Sequence, residues 1–335
     1  MFEDRPDVPA CFARQNVLVT GGLGFIGSHL AARLASLGAK VLSLDGVLPD
    51  RLSARKLPDG VEYAKGDIHK PEILSECALR FCESTGSAIA HVFHLAALNS
   101  VPQSLEAPLE TIATNTAGTA NVLDLCRRLG GMQSVTFLST GHVYESTTER
   151  DTKVHERSTL APASIYAGSK LAAENLALSY HKVFGLSVRI QRLFNVYGPG
   201  QSRDAVVSSI IQQMLAGDQV HVGNTRSIRD FVFVDDVIEG MLRLAAEPRA
   251  AGRVVNVGQG DGAAIEEVIA IVAELTGFSG AIERKADRVR AADMAMLVAD
   301  ISLLKELVGW VPSHNLKAGL AKTVQAQRLK GASNG

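Results

Sequence analysis

Tyr166 and Lys170 stand four residues apart in YAGSKLAAENLALSYHKVF, a stretch whose apolar residues recur with a helical period. Four residues is just over one turn, so the phenol and the ammonium lie on one face of a helix. A lysine ammonium near a phenol favours phenolate and turns a weak base into one able to take a proton from a hydroxyl group. Taken alone, such a pair is more often packing and surface than chemistry. Its weight comes from a second cluster far away in the chain.

In VLVTGGLGFIGSHL, Gly21, Gly24 and Gly27 fall between a β-branched apolar run and a helical pattern. The first glycine permits a tight turn, the second lets backbone approach a pyrophosphate, and the third allows close packing of helix on strand. The helix that follows offers free amides to the phosphates, so a dinucleotide is the implied ligand. Asp45 comes about 20 residues later at the end of the next apolar run, where a carboxylate accepts both ribose hydroxyls and repels a 2′-phosphate. That selects NAD over NADP, unless Asp45 only caps a loop. Asp67, in KGDI, has two readings of equal standing: a hydrogen bond to the adenine amino group, or a turn cap. His94 closes a strand-like run in HLAA and reads as a buried ring with its hydrogen bonds met.

These side chains need a frame that brings them to one edge. Short apolar runs at 16–20, 41–45, 61–67, 91–97, 134–140 and 186–194 alternate with longer helical patterns, among them helices near 111–129 and 165–184. Runs that are apolar on both faces and separated by helices predict a doubly wound parallel sheet, the Rossmann arrangement of α/β proteins. After residue 194 the glycines and proline of NVYGPGQ mark a change to shorter elements, a smaller C-terminal α/β part. VVNVGQG, 254–260, reads as one more buried strand, so the two parts interleave. The division is then 12–194 with a returning segment near 236–260 for the dinucleotide, and 195–235 with 261–330 for a substrate.

With 46% hydrophobic and 21% charged residues in 335, the chain is globular, neither fibrous nor disordered. Thirty-four basic residues against 35 acidic ones leave a net charge of −1, so the bulk field favours neither nucleic acid nor a membrane surface, and an anionic ligand must be caught locally. Cys11, Cys77, Cys82 and Cys126 form no CxxC pair and lack histidines at zinc-finger spacing, which predicts reduced thiols and no metal. The acidic, proline-broken start MFEDRPDVPACFARQ is unlike a secretion signal, and no segment approaches the length of a membrane span. The expected compartment is the cytoplasm.

TGGLGFIG, GDI, HLAA, YAGSK, RLFNVYGPG and RSIRDFVFVDD follow one another in this order, and ADISLLKELVGW closes the series. In that order they resemble the extended short-chain dehydrogenase/reductase family, specifically its NAD-dependent nucleotide-sugar epimerases and dehydratases, over nearly the full chain. The resemblance implies that Phe25 and Ile26 of the glycine loop, Asp67 and Ile68 of GDI, and Leu95, Ala96 and Ala97 of HLAA surround the NAD. It makes Tyr166 the proton-transfer group and Lys170 the holder of the nicotinamide ribose. Thr140, at the end of SVTFLST, takes the place of the Ser or Thr that hydrogen-bonds the reacting sugar hydroxyl. Asn195 and Arg229 match the residues that meet and clamp the diphosphate, and Arg290 matches a second phosphate ligand, although Ala292 replaces the usual glycine of an Arg-x-Gly-Asp stretch ending at Asp293. Asn99 falls where relatives contact the sugar, and Leu297 near the position that limits the C2 substituent. The family also pairs the helices near 111–129 and 165–184 into a homodimer, for which Leu171, Leu176, Leu178 and Val183 are the apolar candidates.

One departure is informative. Sugar-nucleotide dehydratases of the family carry Thr-Asp-Glu where this chain has Thr140, Gly141 and His142, and decarboxylases tend to keep the glutamate. The missing carboxylates favour C4 epimerisation of a UDP-sugar through a transient 4-keto intermediate, which needs only the tyrosine, the threonine and tightly held NAD. His142 lies where it can touch the sugar and can titrate near neutrality, so elimination or C5 epimerisation by an imidazole base stays open. A 4-keto-sugar reductase and a non-catalytic redox-sensing binder are the further alternatives.

Overall fold

The computed structural model describes residues 6–46, 58–146, 152–285 and 295–333. Its strands are β1 Asn16–Thr20, β2 Lys40–Asp45, β3 Val61–Lys65, β4 Ile89–His94, β5 Ser134–Thr140 and β6 Val188–Leu193. Four short ones follow, β7 Asn195–Tyr197, β8 Gln219–Val222, β9 Ile228–Arg229 and β10 Phe231–Phe233, and then β11 Arg253–Val257, β12 Ala263–Ala264, β13 Ala281–Arg284 and β14 Met296–Leu297. Seven strands form one sheet in the order β11-β6-β5-β4-β1-β2-β3, with every pairing parallel. β1, β4, β5 and β6 are buried at every position, the signature of a sheet covered on both faces.

Side-chain alternation divides the core in two. Val17 and Val19 of β1 pack with Leu30 and Leu34 of the helix Phe25–Ser36 and with Met241 and Leu244 of the helix Val234–Ala246. Leu18, between the two valines, points the other way, into a core shared with Leu74, Phe81, Val122, Ala173 and Ala177. Those five come from the helices Pro71–Thr85, Thr119–Leu129 and Ile165–Phe184. The crossover direction reverses between β1 and β4, the topological switch point at whose carboxyl-end edge doubly wound sheets bind ligands.

The chain leaves the sheet after β6, and β11 returns to pair with β6 in register Val254↔Ile190, as the apolar run 254–260 implied. The strand ends at Val257, because Gln259 and Gly260 turn to donate backbone N–H groups to Asp230. The helix foreseen near 111–129 differs in detail. It runs from Pro108 to Leu129 as two α segments joined by a π-helical turn, Ala113–Gly118. In that turn the Asn115 side chain bonds the Leu98 backbone in both directions, accepting from its N–H at 2.8 Å and donating to its carbonyl at 2.9 Å. Leu171, Leu176 and Leu178 are half-buried and pack on the molecule's own core, which leaves Val183 alone of the four as an exposed apolar residue. No helix among the described residues is long and apolar enough to cross a membrane.

Candidate active site

The glycine loop leaves β1 with Gly21 at φ +73°, a conformation that disfavours a side chain. A Cβ on Gly21 would lie 2.7 Å from the Ala96 amide nitrogen, and one on Gly27 would collide with the Gly21 carbonyl. Loop, helix and the Leu95–Ala97 segment therefore close on one another through bare backbone. Gly24 is the N-cap of the helix Phe25–Ser36, and no side chain caps that end. Phe25 and Ile26 thus sit in a first turn whose amides are free to meet a pyrophosphate. Asp45, at the end of β2, turns its carboxylate to this loop and accepts the Leu23 N–H at 3.2 Å. A cradle without side chains, uncapped amides and a carboxylate at the tip of β2 fit a dinucleotide.

Asp67 accepts the His69 N–H at 2.9 Å, which is the turn-capping arrangement, and Ile68 is buried against the place a Gly118 side chain would need. His94 is buried, its Nδ1 2.7 Å from the Thr20 hydroxyl and its Nε2 2.9 Å from that of Thr119. Burial first, then the Lys170 charge, push its pKa down to about 3, so the ring is neutral and fully bonded, as its place in the sequence indicated.

Thr140 ends β5, and Tyr166 and Lys170 lie one turn apart on the helix Ile165–Phe184, which Ser164 caps through the Ala167 N–H at 3.1 Å. The Tyr166 phenol is pushed up by burial and pulled down by a hydrogen bond with Thr140. Lys170 is only 4% exposed, and its Nζ rests 4.3 Å from the centre of the Phe137 ring. Burial pushes this amine down to about 7, against the pull of Glu174. Behind them Asn115 donates to Ser169 Oγ at 2.9 Å, and Ser169 donates to the Tyr166 carbonyl at 2.8 Å, which fixes the helix turn that carries the tyrosine. Sequence reading missed Asn115 and Ser169; an asparagine in a helical run is the available signal.

The turn after Thr140 holds the departure from Thr-Asp-Glu. A Cβ on Gly141 would lie 3.2 Å from the Phe194 ring, tighter than ordinary packing, so a carboxylate side chain has no room there unless the ring moves. His142 is half-buried, and its N–H donates to Thr140 Oγ1 at 3.2 Å. Asn99 is exposed between β4 and the helix Val101–Glu106.

Asn195 opens β7 immediately beyond β6, and its Oδ1 is buried with no hydrogen-bond partner among the described residues. Its backbone N–H donates to the Asp230 carbonyl at 2.9 Å, so Asn195 and Arg229 are brought together through the residue between them. Arg229 is 8% exposed and donates to the Ile228 carbonyl at 2.9 Å. Asp230 is wholly buried and accepts three backbone N–H groups, from Gln259 at 2.6 Å, Gly260 at 2.9 Å and Ala299 at 3.1 Å. Burial still pushes its pKa up to about 7. Leu297 is buried in β14, opposite Arg229. Arg290 and Asp293 lie outside the described residues.

The family model for NAD dependent epimerase/dehydratase proteins matches residues 17–258. An uncharacterized UDP-glucose epimerase from Bacillus subtilis is 30% identical over 314 residues, 92% of this chain and 96% of that protein. UDP-glucuronic acid decarboxylase 1 from Arabidopsis thaliana is 31% identical over 320 residues, 93% of this chain and 69% of the relative. The solved UDP-glucose 4-epimerase of Thermotoga maritima, with UDP-glucose, superimposes with a TM-score of 0.84 at 30% identity, covering 94% of this chain and 99% of that one.

Proposed function

The chain belongs to the NAD-dependent epimerase/dehydratase family, and from that membership we propose that it is an isomerase that inverts C4 of a UDP-sugar through a transient 4-keto intermediate. The observation that carries this reading is the contrast at one turn: Thr140, Tyr166 and Lys170 are together, while Gly141, crowded by Phe194, and His142 replace the acidic pair that elimination uses. The support from relatives is mixed in reaction type, as the epimerases and the decarboxylase above illustrate.

A bound NAD would supply the hydride acceptor and donor for the sugar carbon. Gly21, Gly24, Phe25, Ile26 and Gly27 hold its pyrophosphate, Asp45 its adenosine ribose, and Leu95, Ala96 and Ala97, with Ile68, line its flank, with Asp67 nearby. Tyr166 takes the C4 hydroxyl proton and later gives it back, and Thr140 orients that hydroxyl. Lys170 keeps positive charge beside the phenol and holds the nicotinamide ribose. Asn195, Arg229 and Arg290 bind the diphosphate, and Asn99 and His142 touch the sugar. In this reading 12–194 and the returning segment near 236–260 bind NAD, and 195–235 with 261–330 bind the nucleotide sugar.

Leu105, Leu109 and Ile112 are exposed on two helices beside Ile165–Phe184, and Val183 and Phe184 are exposed at that helix's carboxyl end, which leaves apolar side chains for a second copy of the chain. A homodimer follows, which sedimentation at micromolar concentration checks. A half-buried imidazole next to Thr140 supports one second reading, C5 epimerisation or elimination with His142 as base. Incubation with UDP-, GDP- and dTDP-sugars, followed by NMR of the products, tests the proposal: an inverted C4 supports it, and loss of water or of carbon dioxide refutes it.

A further inference from the structure

Beneath the Tyr166–Lys170 face lies a second charged group that the reaction as described does not use. Glu174 is one turn beyond Lys170 on the same helix and only 2% exposed. Arg192 of β6, 3% exposed, grips it with two bonds, Nε to Oε1 at 3.0 Å and Nη2 to Oε2 at 2.7 Å. Arg192 is held in turn: its guanidinium lies 4.7 Å from the centre of the Tyr144 ring, and Nη1 donates to the Glu156 carbonyl at 3.3 Å. The Tyr144 hydroxyl then donates to Asn256 Oδ1 at 2.7 Å, which ties the pair to β11.

A buried ion pair contributes little net stability and is commonly replaceable by apolar side chains. The charge count here gives it another use. Lys170 and Arg192 are two buried cations, and Glu174 is the buried carboxylate that faces both. Among the described residues Lys170 has no carboxylate within ion-pair distance, and Glu174, at i+4 on the same helix, is the opposite charge that acts on it. Among the described residues, the other elements packed on this helix offer Lys170 no anion. β5 presents Phe137 and Thr140, β4 the neutral His94, β6 Arg192, and the turn after β5 His142. Glu106, Glu110, Arg127 and Arg128 on the flanking helices are exposed, and Asp124 is paired with both of those arginines.

We propose that Glu174 is a positioning residue for the reaction: its carboxylate, locked by Arg192, keeps the Lys170 ammonium protonated beside Tyr166, where that charge is needed. The inference rests on Tyr166 as the proton-transfer group. Burial drives Lys170 toward the neutral amine and Glu174 opposes it, while burial lowers Arg192 but the bonds and charge of Glu174 more than restore it.

The test is an NMR titration of the NAD-loaded protein without sugar, with carbon-13 at lysine Cε and the Lys170 signal assigned by its loss in Lys170→Met. Glu174→Gln, which keeps the shape and one bond to Arg192, should lower the Lys170 midpoint by roughly one pH unit, the size expected for a charge one helical turn away. Arg192→Met should move it upward, since Glu174 then has Lys170 alone to pair with. The alkaline limb of turnover should move with the midpoint in each variant. An unchanged midpoint in either variant that folds overturns the proposal. Because the titration involves no sugar, failure to epimerise any nucleotide sugar would refute the function above and leave this result standing.

Discussion

At the amino-terminal edge of the sheet Arg189 of β6 is only 3% exposed, much as Lys170 is 4% exposed at the carboxyl-terminal edge, yet the two cations are treated differently. Arg189 is saturated. Its Nη1 donates to the Ser187 carbonyl at 2.8 Å and to Ser187 Oγ at 3.0 Å, and its Nε and Nη2 donate to the Glu247 carbonyl at 3.3 and 3.1 Å. The nearby His91 is likewise shared between Ser134 Oγ at 2.8 Å and the Cys11 carbonyl at 3.3 Å. Lys170 instead faces an aromatic ring, with its balancing carboxylate a turn away, while Asn195 Oδ1 and the amides of the glycine-loop helix keep bonding capacity unspent. Arg189 and His91, near the starts of their strands, are committed to holding the protein together. Asn195 Oδ1 and the glycine-loop amides, beyond the strand ends, keep capacity for a ligand at the edge where the crossover direction reverses.

Substitutions should separate the two edges. Tyr166→Phe should lower turnover by at least about 10²-fold, the usual loss for a positioned proton-transfer group, with the melting temperature and nucleotide-sugar binding little changed. Equal losses of turnover and stability would erase the contrast. Arg189→Met should do the reverse: about 1–3 kcal/mol lost in urea unfolding, as buried carbonyls lose their donor, with turnover per folded molecule retained.

The pH dependence of stability sharpens the comparison, because β4 carries one buried histidine toward each edge. Burial lowers His91 to about 4 and His94 to about 3, so the unfolded chain binds more protons than the folded one below the ordinary histidine value. The stability that these histidines contribute should therefore be fully present above about pH 6.5 and be lost as pH drops toward these values, by about 1.4 kcal/mol per pH unit for each, while buried Asp230, raised to about 7, works in the opposite sense. Urea midpoints should show acid destabilisation reduced by the share of one histidine, about 1.4 kcal/mol per pH unit, in His94→Gln. A profile unchanged by the substitution would mean that the ring is not held neutral. The smallest effect belongs to Asp45→Ala, which should narrow the preference for NAD over NADP in calorimetry while leaving folding intact. Equal affinity for both cofactors in the wild type would remove the role given to Asp45.

Much of this frame was legible in the sequence, for a local reason. Strands such as NVLVT and SVTFLST are apolar on both faces, and each is followed by a helical pattern, so period and length identify them without knowledge of their neighbours. The glycine loop was legible because its glycines are demanded by nearby backbone. The features that were not legible depend on contacts distant in sequence. The π-helical turn at Ala113–Gly118 goes with Asn115 bonding Leu98 and Ser169, and Asp230 matters through Gln259, Gly260 and Ala299. Glu174 carried a weak sign, an acid on the apolar face one turn after Lys170, but its partner Arg192 sits in a strand that reads as core. The crowding of Gly141 by Phe194 has no sign in the sequence.

The fate of the substrate's C4 hydrogen separates inversion at C4 from chemistry at C5. A UDP-sugar deuterated at C4, incubated with the NAD-loaded protein in ordinary water and followed by NMR, should give product inverted at C4 that retains its deuterium. In the companion run in D₂O with unlabelled sugar, no solvent deuterium should enter C5. Loss of the C4 label, or solvent deuterium at C5 that disappears in His142→Ala, would contradict C4 inversion through Tyr166 and transfer the chemistry to His142.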